Sequence, residues 1–283
     1  MSAAGPPQGA NSAPSGGSEA ATAASVGVHF EVRDHVARVT LDRPAVMNAL
    51  DHAAEVELAR IWSAIEADRD VRVVVLTGAG ERAFCAGADM KNSGHQSGLE
   101  YWAAPRAGGF GGIALRDTLD VPVLARVNGV ALGGGFEMVL GCDLVVACDE
   151  ASFGLPEPRV GRLPLDGGMT LLQRQIPFRA AMGILLTGRR VPAREALALG
   201  IVNEVVARAD LDAAVDRWAG EILACAPLSI RAIKAVARRT AHLTAREAQA
   251  HKLPALIEAI VSEDSQEGVR AFREKRAPVW RGK

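Results

Sequence analysis

Two glutamates define the chemistry to look for. Glu137 lies in NGVALGGGFEMVLG (128–141), where three glycines run straight into an apolar stretch whose single acid is Glu137. At the start of such a helix the backbone N–H groups lack intrahelical acceptors and the dipole is positive. The N–H of Gly134 is therefore suited to stabilise negative charge developing on an oxygen. Glu137 follows three residues later, about one turn on, and so shares the face of that N–H. Glu157 sits in SFGLPEPRVGRLPLDGG (152–168) between Pro156 and Pro158, which remove backbone donors and fix an irregular loop. Two carboxylates beside an N–H donor suit proton transfer on a substrate whose carbonyl oxygen becomes negative. Each acid also has a plainer reading: Glu137 as a solvated helix glutamate, Glu157 as a surface-turn residue. The apolar neighbours Phe136, Met138, Val139 and Leu140 favour burial of Glu137.

A third segment, GERAFCAGADMK (80–91), follows the apolar run VRVVVLT (71–77). Its small residues Ala86, Gly87 and Ala88 let a ligand approach the backbone, where a free N–H can hold an oxyanion; a simple turn explains them equally. Gly78-x-Gly80-x-x-Ala83 has the outline of a dinucleotide fingerprint, but that motif must open a helix, and AFCAGAD follows instead. The chain has no Gly-x-Ser-x-Gly elbow and no Walker Gly-Lys-Ser/Thr, which argues against a serine hydrolase of the common α/β type and a P-loop enzyme.

Among 283 residues, 32 basic and 33 acidic side chains nearly cancel, so no whole-protein attraction to nucleic acid or anionic membrane is expected. Cys85, Cys142, Cys148 and Cys225 form no CxxC pair and no metal-like cluster with the six histidines. They read as reduced thiols of a cytoplasmic protein without a metal site. No apolar run approaches the roughly 20 residues of a membrane-spanning helix.

The elements that must position these residues alternate. Residues 1–25 are rich in Ala, Gly, Ser and Pro without Lys or Arg and read as a disordered tail. Strands are expected over 28–33, 36–41, 71–77, 121–127, 143–147 and 201–206, with a helix from about 51 to 67. Helical patterns take over from about Pro177, through 210–224, 228–239 and 245–261. No internal sequence repeat stands out. The Gly-rich stretch 92–112, which includes His95, reads as a mobile lid near a site.

In their order, DRPAVMNAL (42–50), AFCAGADM (83–90), NGVALGGGFE (128–137), FGLPEPRVG (153–161) and EGVRAFREKRAPVW (267–280) resemble the crotonase, or enoyl-CoA hydratase/isomerase, family. The resemblance spans about residue 28 to the C-terminus. It implies an α/β fold: a spiral of ββα units over 26–208 and a helical region over 209–283 that builds homotrimers, often paired into hexamers. It further implies that the Ala88 and Gly134 N–H groups hold a thioester oxygen, and that Glu137 and Glu157 are the two catalytic acids of a hydratase. Isomerases of the family commonly keep only the acid matching Glu157. Coenzyme A, as part of the substrate and not a cofactor, would then run along Val46, Met47 and Ala49 and along Ala86, Asp89, Met90 and Lys91. Phe272 and Lys275 resemble the residues that cover it, and Arg43 and Lys275 could meet its phosphates.

One departure concerns the acyl pocket. Hydratases of this family usually carry a Pro-Gly-Ala-Gly-Gly-like run after the second glutamate, whereas this chain has Leu163-Pro164-Leu165-Asp166-Gly167-Gly168. Asp166 is either a third carboxylate near the acyl group or the N-cap of a following helix, and a carnitinyl-CoA-type dehydratase stays open beside the hydratase. A non-catalytic scaffold binding acyl-CoA or RNA is the alternative of another class.

Overall fold

The computed structural model describes residues 1–2, 26–90, 97–104, 106 and 108–283. Most of the expected tail, together with Lys91 and His95, lies outside the described residues. β1 (Val28–Arg33) and β2 (Val36–Leu41) form an antiparallel hairpin. Its turn residues Asp34 and His35 both take positive φ, 49° and 67°, the two-residue geometry that matches strand twist. α1 (His52–Ala67) starts at Asp51, whose side chain accepts from the Ala54 N–H, and it buries Leu58, Ile61, Trp62 and Ile65.

From there each pass of the chain leaves one strand in each of two sheets. β3 (Val73–Gly78) leads into β4 (Ala83–Cys85) and α2 (Gly98–Ala103). β5 (Val123–Val127) leads into β6 (Val130–Leu132) and α3 (Gly134–Gly141). β7 (Leu144–Cys148) leads into β8 (Ser152–Gly154), α4 (Gly168–Gln175) and α5 (Phe178–Thr187). β9 (Val191–Pro192), α6 (Ala193–Leu199) and β10 (Glu204–Val206) complete the sheets, in the orders β1-β2-β3-β5-β7-β10 and β4-β6-β8-β9. From β2 to β10 the large sheet is parallel, as are β4, β6 and β8. Parallel strands covered on both faces read as unbroken apolar runs, and Val73, Val74, Val75 and Leu76 are all buried. The spiral is thus a repeat of topology that leaves no repeat in the sequence.

The remaining helices are α7 (Leu211–Leu223), α8 (Pro227–Arg239), α9 (Ala245–Ala250), α10 (Pro254–Val261) and α11 (Glu263–Glu274). The helix expected over 245–261 is therefore two, because Pro254 has no N–H to donate and opens a new helix. The strands expected from Val71 and Ile201 begin later, at Val73 and Glu204. α7 packs Leu211 and Val215 into the main core, whereas α8 and α10 share a small cluster of Leu228, Ala232 and Ala259.

α8 docks onto the sheet through its basic face. Lys234 Nζ donates to Val121 O at 2.6 Å and pairs with Asp143 at 2.7 Å. Arg231 donates to Val71 O at 2.9 Å, and Arg238 bonds Gly141 O and Asp143. Burial holds the Lys234 amine below its usual pKa, with the Asp143 charge opposing that shift. Removing Lys234 leaves Asp143 paired with Arg238 but takes the side-chain donor from buried Val121 O, and a buried acceptor that loses its donor is costly. Lys234→Ala should therefore lower stability by about 1–3 kcal/mol, read as a lower urea midpoint with an unchanged m-value.

Candidate active site

The site forms where β4 and α3 approach each other. Asn48 and Asn128, both about 1% exposed, fix the start of β4. Each donates its side-chain amide to Ala83 O, at 2.8 and 3.1 Å. Asn48 also bonds Ala79 O and accepts from the Arg43 N–H, while Asn128 bonds Gly80 O. Met47 and Asn48 both lie in the left-handed region, at φ 56°, so that the segment after them can join the 86–89 loop. The joint is a short parallel bridge: Ala86 N–H to Met47 O at 3.0 Å, Leu50 N–H to Gly87 O at 2.9 Å and Asp89 N–H to Leu50 O at 2.8 Å. Neither asparagine was among the expected site residues, although both stand in DRPAVMNAL (42–50) and NGVALGGGFE (128–137). Their signal is a polar residue within a run destined for burial.

That bridge skips the Ala88 N–H, which, like the Gly134 N–H, is hydrogen-bonded to none of the described residues. The two strands of backbone touch without side chains between them. Gly87 has φ 95°, and a Cβ on it would stand 3.1 Å from Leu132 O and 3.3 Å from Gly134 N. A Cβ on Gly134 would enter the Phe110 ring at 2.6 Å, and one on Gly135 would strike Cys85 O at 2.1 Å. The glycine run thus serves contact: α3 begins against β4 with its first N–H groups open.

Glu137 is 3% exposed, which excludes the solvated-helix reading. Its Oε1 accepts the Asp166 N–H at 2.8 Å and the Gly168 N–H at 2.9 Å. Burial pushes its pKa up to about 8, the Gly168 hydrogen bond opposes that, and the charges of Asp166 and Glu157 add to it. Since Oε1 already accepts two N–H groups, the proton of the neutral acid belongs on Oε2. Glu157 opens the single helical turn Glu157–Val160. Burial raises its pKa as well, and its Oε2 is enclosed without a hydrogen-bond partner. Its Oε1 lies 2.9 Å from where a Cβ of Gly133 would be, so Glu157 leans on the same glycine run.

The other expected residues divide. Met47 meets Ala86 and Leu50 meets Asp89 through the bridge, with Ala49 buried between them and Val46 and Met90 exposed beside them. The Asp89 carboxylate turns inward to Arg43 at 3.0 Å, and the same guanidinium reaches Asp51 at 3.0 Å and Ala49 O. Arg43 is therefore an internal brace, which corrects its reading as a phosphate ligand or surface charge. Leu165 and Asp166 do stand beside Glu137. Asp166 is not the helix N-cap: Gly167 occupies that position without a side-chain cap, and the Asp166 carboxylate binds Tyr101 and Arg106.

Phe272 and Lys275 lie exposed on α11 and at its end. Phe272 is 85% exposed on α11, which packs on α10. The chain after α11 folds back along it, held by Glu267 to Arg276 and Val279 and by Asp264 to the Arg281 and Gly282 N–H groups. Within the motif at 267–280, Glu267 thus ties this end of the chain together, while Phe272 and Lys275 stay open to solvent. The lid reading of 92–112 also changes at its far end, where Phe110, Gly111 and Gly112 are buried and Gly111 O accepts from Trp62 at 2.7 Å.

The two-sheet spiral thus carries two carboxyls with raised pKa values near two N–H groups left open among the described residues, a set of groups suited to stabilising an enolate-like oxygen while moving protons. Residues 31–283 match the enoyl-CoA hydratase/isomerase family, and the chain belongs to it. Carnitinyl-CoA dehydratase of Proteus mirabilis is 38% identical over 92% of this chain and 100% of the relative; that of Escherichia coli K12 is equally similar over the same shares. Enoyl-CoA hydratase from Mycobacterium tuberculosis superposes with a TM-score of 0.83 at 32% identity, over 92% of this chain and 100% of its own. That from Bacillus anthracis gives 0.83 at 32%, over 91% and 100%.

A raised carboxyl pKa is a stability statement. Between the ordinary value of 4.5 and about 8, folded Glu137 holds a proton that the unfolded chain has released, so stability falls as pH rises through this window. Glu137→Gln removes this dependence. Its melting temperature should exceed that of the parent at pH 9 and approach it at pH 5, a difference worth at most on the order of 5 kcal/mol, measured by calorimetry at both pH values.

Proposed function

We propose that this protein is an enoyl-CoA hydratase that adds water across the 2,3 double bond of a 2-enoyl-CoA thioester and runs the reverse elimination. One observation carries this reading: buried Glu137 and half-buried Glu157, both with raised pKa values, share a site with two open N–H donors. The thioester oxygen sits between the Ala88 and Gly134 N–H groups, which bind it more tightly as it becomes an enolate oxygen. Each such donor is worth roughly 3–4 kcal/mol of barrier. In elimination, neutral Glu137 gives its Oε2 proton to the departing 3-hydroxyl while ionised Glu157 removes the proton from C2. In hydration the steps reverse: ionised Glu137 takes a proton from water as its oxygen bonds C3, and protonated Glu157 delivers one to C2. One proton shared by the pair serves both directions. The scheme is complete with these groups, coenzyme A being part of the substrate.

Coenzyme A is assigned to the groove edged by Val46, Met47, Ala49, Ala86 and Met90, and the acyl group to the side bounded by Leu165 and Asp166. The polar surroundings of Asp166 and the dehydratase relatives support a second reading, a dehydratase of polar 3-hydroxyacyl-CoA. An isomerase relying on Glu157 alone would leave the hydrogen-bonded, proton-holding Glu137 without a task. No helix among the described residues is long and apolar enough to cross a membrane, and we place the protein in the cytoplasm. A groove of about 630 Å³ lined by Ile233, Val236, Leu256 and Ile260 suits a second copy of the chain in a homotrimer or a hexamer of paired trimers.

The test is loss of conjugated-thioester absorbance with crotonyl-CoA. Glu137→Gln and Glu157→Gln should each lower hydration by about 10²–10⁴-fold; an isomerase would largely keep 3-enoyl turnover in the first variant. For the assembly, Ile260→Glu should shift the sedimenting species from trimer or hexamer to monomer.

A further inference from the structure

Arg106 and Asp166 stand outside the acid pair and the N–H donors, yet they are wired to both the backbone and the charge of Glu137. The Asp166 N–H is one of the two donors on Glu137 Oε1, while its carboxylate, 7% exposed as a residue, faces the other way. Asp166 Oδ2 accepts from Tyr101 Oη and from Arg106 Nη2, each at 2.5 Å. The Arg106 guanidinium lies 3.6 Å above the centre of the Tyr101 ring and reaches Glu55 Oε1 at 3.5 Å. Three segments remote in sequence therefore meet one residue away from Glu137: α1 through Glu55, α2 and its exit through Tyr101 and Arg106, and the turn into α4 through Asp166.

We propose that Arg106 and Asp166 are positioning residues for Glu137: their ion pair pins the 166–168 backbone so that its N–H groups hold Oε1, and it balances the Asp166 charge that Glu137 would otherwise feel alone. This rests on the reading of Glu137 as a proton carrier. The charged and titratable groups around Glu137 are Glu157 from the turn after β8, Asp166 from the turn before α4, Arg106 and Tyr101 from α2 and its exit, and Glu55 beyond Arg106. On the β4 side stands the thiol of Cys85, held neutral by burial at about 12. Among these, Asp166 and Glu157 disfavour ionised Glu137, and Arg106 is the cation that answers Asp166. The pair therefore supplies two separable effects, geometry from the short contacts and electrostatic balance from the opposite charges.

The separation gives a signed test. Arg106→Gln leaves Asp166 unbalanced and should raise the pKa of Glu137; Asp166→Asn leaves Arg106 unbalanced and should lower it. Each shift should be about half a unit or more, set by charges a few ångströms away at an effective dielectric near 20. Arg106→Lys keeps the charge but loses the planar two-ended contact. It should keep the parental pH profile while lowering kcat several-fold with little change in KM.

Two readouts are needed: the pH dependence of crotonyl-CoA turnover, and the infrared carboxyl band of Glu137, assigned by its loss in Glu137→Gln. Opposite shifts in Arg106→Gln and Asp166→Asn support the proposal. Shifts in the same direction, or none, overturn it. If one variant fails to fold, as judged by circular dichroism, the sign in the other together with Arg106→Lys decides. Opposite infrared shifts without turnover of any enoyl-CoA would retain the positioning role and reject the hydratase reading; turnover with unmoved profiles would do the reverse.

Discussion

The site depends on one packing constraint: the exit of β4 must touch the start of α3 with nothing but backbone between them. Gly135 lies against Cys85 O at a separation that no Cβ could occupy, and Gly87, at φ 95°, lies against Leu132 O and Gly134 N where a Cβ would be both crowded and strained. This contact puts Ala88 and Gly134 on one rim with their N–H groups unpaired. A larger residue at any of these glycines would push the two donors apart. Orphan N–H groups are tolerated at a helix start because the helix offers them no acceptor in any case. At Ala88 the bridge to Leu50 uses the neighbouring residues and passes over this N–H. The open pair is therefore a by-product of how two regular elements end.

The spiral makes that contact possible. Each pass of the chain lays a strand in the large sheet and then one in the small sheet, so β4, β6 and β8 stand side by side although they come from different passes. Their exits deliver, in order, Ala88, Gly134 with Glu137, and Glu157. Parallel neighbours all exit at the same edge of a sheet, which gathers chemistry from three distant sequence segments at one rim. Asn48 and Asn128 fix the height of that rim by sharing Ala83 O. Burying their amides would be costly without such partners, so their bonds make the alignment of β4 specific.

Much of this was legible in the sequence, and the gaps have physical causes. Apolar runs marked β1, β2, β3, β5 and β7 because strands covered on both faces, or alternating over one, leave a periodic record. The short strands β4, β6 and β8 left little, since three residues cannot establish a period. Glu137 showed itself through apolar neighbours on a helix, whereas Glu157 was a proline-flanked acid whose burial depends on contacts with Gly133 that sequence does not display. Asp166 looked like a cap because Asp before a helix commonly is one. Its actual partners, Tyr101 and Arg106, come from a Gly-rich stretch with no readable pattern. Arg43 was read toward coenzyme A, yet its guanidinium closes an internal network with Asp51 and Asp89; in the closing motif Glu267 pairs with Arg270 and Arg276, while Phe272 and Lys275 stay exposed.

The departure at Asp166 also bears on how a buried acid remains useful. An acid in an apolar pocket gains a raised pKa from desolvation alone, but it also gains rotational freedom and an uncertain proton position. Two N–H donors on Oε1 remove that freedom and oppose part of the shift. A carboxylate placed next to these donors would by itself raise the pKa again and strain the turn. Pairing it with a guanidinium stacked on an aromatic ring restores electrostatic balance and ties the turn to α2. On the proposed assignment of the acyl group to this side, the polar cluster answers two demands at once: holding one proton on a defined oxygen, and leaving a wall that meets a polar acyl group more readily than a long alkyl chain. Methylenes placed against Asp166 and Arg106 would forgo the roughly 0.8 kcal/mol that each gains in an apolar pocket.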